Sequence, residues 1–97
     1  MNTRHIPAEV FPPGEFVREE LEARGWTQED LAEILGRPLR LVNEVIMAKR
    51  GITPETANGL AAAFGTSPQV WMNLESIYRL SLDNARQTSA KRVESME

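Results

Sequence analysis

The feature that most constrains this chain is its punctuation. Gly25, Gly36 and Gly65 each close a run of helically spaced apolar residues, where a left-handed C-terminal cap is wanted. Thr27, Thr53–Pro54 and Ser67–Pro68 each open one. A hydroxyl caps the first turn, and proline takes the first helical position, where its missing N–H is no loss. Asp30, three residues after Thr27, fills the reciprocal place of a capping box. Between these marks only short helices fit. The first runs from Glu15 with Phe16, Val17, Leu21 and the aliphatic stem of Arg24. The second carries Leu31, Ala32, Ile34 and Leu35, and the third, Leu39 to Met47, carries Leu41, Val42, Val45 and Ile46. The fourth extends from Thr53–Pro54 to about Phe64. The fifth bears a stripe of Val70, Trp71, Leu74, Ile77, Tyr78 and Leu82. No stretch alternates with period two, so an all-α fold of five helices with short turns is expected.

The organisation follows from where that pattern starts and stops. Residues 1–13 hold three of the six prolines and read as an extended arm, since proline cannot donate a backbone hydrogen bond. Residues 14–82 are the folded domain. Residues 83–97 turn polar and read as an extension of the last helix or a disordered tail.

Within the domain, Gln28 to Met47 matches the helix-turn-helix template. Small Ala32 falls where two helices cross closely, and Gly36 falls at the turn. Leu31, Leu35, Val42 and Val45 fall on the faces that lock the two helices together. The plain competitor is an ordinary helical hairpin with an Ala and a Gly in it; capped helices on both sides favour the template. The third segment is then the recognition helix, and Leu39, Arg40, Asn43 and Glu44, with Met47 at its end, face base edges. Arg40 suits guanine, Asn43 suits adenine or a phosphate, and Leu39 suits a thymine methyl. Glu44 either accepts from cytosine N4 or repels phosphate. Lys49, Arg50 and Gln28 suit backbone phosphates, and Arg37 joins them.

Composition narrows the function classes. Ninety-seven residues fit one domain, and the absence of Cys excludes disulfides and thiolate metal sites. A single histidine, His5, argues against an imidazole metal cage or acid–base pair, so neither cofactor nor metal is expected. No apolar run approaches the roughly 18 residues of a membrane span, and the N-terminus lacks a signal-peptide core. A cytoplasmic, non-enzymatic module is expected. The net charge of −3 hides a polarity. Residues 37–50 carry four basic side chains against one acid, a net +3; residues 9–35 carry two against eight, a net −6. A basic face on an acidic body fits a groove-binding module, and so few phosphate contacts argue for a dimer on a two-fold operator. The acidic first helix, with Glu15, Glu19, Glu20 and Glu22, is either a solvated face or a dock for a basic protein.

Three strings carry a family resemblance. P-P-G-E-F-V-R-E-E-L-E-A-R-G-W-T-Q-E-D-L-A, K-R-G-I-T-P-E-T-A and F-G-T-S-P-Q-V-W-M-N-L resemble the HigA-type antitoxins of bacterial toxin–antitoxin modules. These are lambda-repressor-like, XRE-type helix-turn-helix proteins, and the resemblance covers about residues 12–82. It implies an antitoxin that neutralises a HigB-type, mRNA-cleaving toxin and, as a homodimer, represses its own operon by binding double-stranded operator DNA. It also implies dimer contacts from the last helix, at Trp71, Leu74, Ile77, Tyr78 and Leu82. The chain departs from the family pattern where Pro38 replaces a Ser or Thr cap, and where Leu39 and Leu41 replace polar base-reading residues. Two alternatives stand beside this: a stand-alone XRE-type regulator, or the N-terminal DNA-binding module of a longer one. A protein-interaction module that uses the fold without DNA is a third.

Overall fold

The computed structural model describes residues 10–95, with side chains as far as Arg86. His5 and most of the expected arm, residues 1–9, lie outside the described residues, as do residues 96 and 97 of the expected tail. Five helices follow in order: α1 (Pro13–Arg24), α2 (Gln28–Leu35), α3 (Leu39–Ile46), α4 (Pro54–Phe64) and α5 (Pro68–Ser95). The all-α, five-helix expectation holds, and the expected caps form. Thr27 Oγ1 accepts from the Asp30 N–H at 3.0 Å while Asp30 Oδ2 accepts from the Thr27 N–H at 2.8 Å, a complete capping box. Thr53 Oγ1 accepts from the Thr56 N–H at 3.3 Å. No described helix is long and apolar enough to cross a membrane.

Two positions differ from the sequence reading, and of its two alternatives after residue 82 the described residues follow the helical one. α1 starts at Pro13, not Glu15, because proline is as well suited to its first turn as to that of α4. Pro13 is consequently buried within the domain, as Gly14 is, rather than part of an arm. Ile34, expected on the inner stripe of α2, is 51% exposed. It lies roughly 160° round the helix from Ala32, so the two cannot face the same core. α5 runs on past Leu82 to Ser95.

The core gathers Val17 and Leu21 of α1, Leu31 and Ala32 of α2, the inner face of α3, Leu60 and Phe64 of α4, and Trp71 of α5. α2 packs on α3 and α4, α1 on α3 and α5, and α4 on α5. Aromatic rings seal the end of the bundle where α1, α4 and α5 meet: Trp26, Phe64 and Trp71 stand in a row with successive centroids 5.9 Å apart. The Arg24 guanidinium covers the row, 4.9 Å from the Phe64 ring, and donates to the Phe64 carbonyl at 3.0 Å. That places a cation on the C-terminal end of α4, where the helix dipole favours it. Two further ties fix α3. Gly14 lies so close to its C-terminal turn that a Cβ there would fall 2.3 Å from the Val45 carbonyl oxygen. After Met47 the chain reverses through Ala48 at φ 62°, left-handed backbone that a residue with a Cβ seldom adopts. The reversal lets the Lys49 N–H close on the Glu44 carbonyl at 2.8 Å and brings Lys49 and Arg50 back beside α3.

Candidate nucleic-acid interface

The two faces of α3 separate cleanly. Leu41, Val42, Val45 and Ile46 are buried; Leu39, Arg40, Asn43 and Met47 are exposed and Glu44 is half-buried. A helix whose apolar residues all fall on one side must present the remainder together. Leu39 is 42% and Met47 53% exposed, so the outer face has an apolar residue at each end and polar groups between. Leu41, a position where the family resemblance implies a base-reading residue, is 6% exposed and belongs to the core.

Around this face six of the eight residues expected to meet DNA fall into three hydrogen-bonded or ion-paired groups, and the other two, Leu39 and Lys49, are exposed beside them. Asn43 Nδ2 donates to Gln28 Oε1 at 3.3 Å, linking the outer face of α3 to the first residue of α2. Gln28 is half-buried at that helix N-terminus, where backbone N–H groups and the dipole favour an anion. Arg37, in the α2–α3 turn, is 3.0 Å from Glu55 of α4. Glu44 engages two arginines. Its Oε1 accepts from Arg50 Nε at 2.9 Å and from Arg50 Nη2 at 2.7 Å, and its Oε2 accepts from Arg40 Nε at 3.1 Å. The Arg50 guanidinium, and after it that of Arg40, hold the Glu44 carboxyl below its ordinary acidity range. Glu44, expected either to accept from cytosine or to repel phosphate, thus has both oxygens paired with arginines.

Beside these pairs lies an open depression of about 330 Å³ lined by Arg37, Pro38, Arg40, Leu41 and Arg50. Three guanidinium groups border it, each tied to a neighbouring carboxylate. The local chemistry is that of a surface able to receive anionic oxygen. Sequence spacing could have disclosed the Arg40–Glu44 pair, four residues apart on a helix. It could not have disclosed Arg50–Glu44 or Arg37–Glu55, which depend on the turn after α3 and on the packing of α4.

The last helix divides the residues assigned to dimer contact. Trp71 is 2% exposed, and its Nε1 donates to Thr66 Oγ1 at 2.8 Å. It has no surface left for a partner, which corrects its assignment to an interface. Leu74 and Tyr78 are half-buried, and Ile77 and Leu82 are exposed, with Val70 and Leu80 exposed on the same helix. Glu75, which sequence reading passed over, is a structural anchor: its Oε1 accepts from the Ile52 N–H at 3.1 Å and its Oε2 from Arg79 Nε at 2.6 Å. On α1, Glu15 pairs with Arg18 and Glu20 with Arg24, while Glu19 and Glu22 are exposed.

Comparison with known proteins agrees with this geometry. Residues 17–71 match the HTH_3 helix-turn-helix family model. Virulence-associated protein I of Dichelobacter nodosus is 38% identical over 71 residues, which is 72% of this chain and 66% of that protein's length. An addiction-module antidote protein of the HigA family from Coxiella burnetii superposes with a TM-score of 0.77 at 34% identity, over 91% of this chain and 95% of that one. The Pseudomonas aeruginosa antitoxin HigA, solved with the higBA promoter, superposes with a TM-score of 0.74 at 36% identity, over 89% and 92% of the two chains. With a capped α2, a small residue where α2 and α3 cross and a left-handed glycine in the turn between them, the chain belongs to the HTH_3 helix-turn-helix family and has the DNA-binding fold of HigA-type antitoxins.

Proposed function

We propose that this chain is the antitoxin of a bacterial toxin–antitoxin pair, a cytoplasmic homodimer that represses its own operon and neutralises an mRNA-cleaving, HigB-type toxin. The observation that carries the DNA half is the outer face of α3, where every side chain not needed by the core is exposed or half-buried beside Lys49 and Arg50. α3 enters the major groove. Arg40, whose Nε is tied to Glu44, offers its two terminal nitrogens to guanine O6 and N7. Asn43 addresses adenine and Leu39 a thymine methyl. Gln28, Arg37, Lys49 and Arg50 contact phosphates and set the register. Leu74, Ile77, Tyr78 and Leu82, joined by exposed Val70 and Leu80, close the dimer along α5. Half-sites then lie about one helical turn, roughly 34 Å, apart. The chain is a binding protein and not a catalyst: the threonine hydroxyls of Thr27 and Thr53 serve as helix caps. A relative of this fold solved with its promoter supports the repressor reading, and the family of that relative supports the toxin partner.

Fluorescence anisotropy on two duplexes at two salt concentrations tests the DNA reading. One duplex carries the chain's own upstream region and the other its scrambled sequence. Selective binding that weakens steeply with salt is expected; equal weak binding to both would remove Arg40 and Asn43 as base readers. Where the neighbouring gene encodes a small basic protein, co-expression with it followed by an mRNA-cleavage assay tests the antitoxin reading. Undiminished cleavage in the presence of this chain would leave a stand-alone regulator.

A further inference from the structure

Both carboxylate oxygens of Glu44 are engaged, and the groups that engage them are two arginines assigned above to DNA. The exposures are unequal: the Glu44 side chain is 22% exposed, Arg40 83% and Arg50 47%. The acid therefore sits under its partners, on the α3 side, and the guanidinium groups stand over it. Arg40 gives only Nε to Glu44, so its outer fork stays open while its inner edge is anchored. A residue that read cytosine would need an oxygen turned to the groove, whereas Glu44 turns both of its oxygens to arginines.

We infer that Glu44 is a positioning and selectivity residue, an internal stand-in for a DNA phosphate that holds Arg40 and Arg50 until a matching duplex takes them over. The inference rests on the DNA-binding reading. Solvent-exposed pairs of this kind are weak, so a phosphate or a guanine edge displaces the carboxylate readily when it arrives in register. A duplex that misses the register leaves both arginines on Glu44, so their charge stays engaged inside the protein and docking loses two cationic contacts. Selectivity arises from a penalty on the wrong site as much as from contacts to the right one.

Glu44→Gln removes the charge and keeps the shape. Affinity for the scrambled duplex should rise roughly three- to tenfold, because Arg40 and Arg50, no longer held by Glu44, are free to pair with phosphates out of register. Affinity for the upstream duplex should rise by less than about twofold or fall, so the ratio between the two contracts. In an Arg40→Ala/Arg50→Ala background the same substitution should change scrambled-duplex affinity by less than about twofold, since Glu44 acts through those two side chains. Thermal melts confirm that each variant folds, and Glu44→Asp, too short to span both arginines, should show the same contraction if Glu44→Gln does not fold. Loss of upstream affinity with scrambled affinity unchanged would make Glu44 a base reader and overturn the inference. An equal gain on both duplexes would overturn it too, as simple repulsion without selectivity. A wild-type chain that binds neither duplex would sink the DNA-binding reading along with it; a binding wild type with either of the other two patterns sinks this inference alone.

Discussion

Replacing Gly14 with alanine should destabilise the domain, although helix propensity predicts the reverse. Gly14 lies in the first turn of α1, where alanine is intrinsically favoured by up to about 1 kcal/mol. Its surroundings oppose the change. An added Cβ would fall 2.3 Å from the Val45 carbonyl oxygen, 2.6 Å from that of Ile46 and 2.7 Å from the Ile46 Cα. All three are backbone atoms of α3, so no rotamer change relieves the clash and one helix must move. Overpacking of this kind costs roughly 1–3 kcal/mol, which for a domain of this size lowers Tm by about 5–20 °C. Because the displaced element is α3, the helix proposed to enter the groove, operator affinity should fall as well, in a variant that touches no DNA. Thermal denaturation followed by far-UV circular dichroism reads the first effect and anisotropy the second. Gly25→Ala is the informative control: nothing lies within 4 Å of its Cβ position, and its φ of 68° alone should cost about 1 kcal/mol. A Gly14→Ala protein that melts at or above the wild-type temperature would refute the close approach of α1 to α3.

The other expectations address the motif and its charges. Arg40→Ala should weaken operator binding by roughly 1–3 kcal/mol and relax specificity at one base pair; equal loss on every duplex in a competition series would identify a phosphate contact instead. Ala32→Leu should overpack the α2–α3 crossing, lowering stability by about 1–3 kcal/mol, and an unchanged melting temperature would misplace that crossing. The Glu44 carboxyl titrates below its usual 4.5 because Arg50 and Arg40 stabilise the anion. The stability it contributes is thus complete above that value and is lost as pH falls through its lowered value. A melting series on wild type and Glu44→Gln should show a gap that is constant near neutrality and narrows below about pH 4.5; a gap that widens on acidification would reverse the sign.

Much of the fold was legible because its signals are local. A hydroxyl three residues ahead of an acid, a proline one place inside a helix and a glycine at its end each act through hydrogen bonds spanning a few residues. The periodicity of α3 likewise separated Arg40 and Asn43 from Val42 and Val45 without reference to any other element. One error comes from the apolar stripe and one from the family resemblance. A stripe of apolar residues says which side of a helix is buried, not by what. Ile34 was counted inside although no neighbour covers that angle, and Trp71 was assigned to a partner although α4 and the Thr66 hydroxyl already enclose it.

The charges of the interface show where local reasoning stops. Arg40 and Glu44 meet by helical spacing, so their pair was within reach of the sequence. Arg50 reaches Glu44 only because Ala48 turns the chain back, and Arg37 reaches Glu55 only because α4 packs against α2. The sequence alone therefore determined the five helices, their caps and the face that α3 turns outward, since those depend on neighbours along the chain. Only the tertiary structure decided that Gly14 must lack a side chain, that Trp71 has no face left for a partner and that Arg50 reaches Glu44. Each depends on how the helices stack and how the chain turns between them rather than on how any one of them forms.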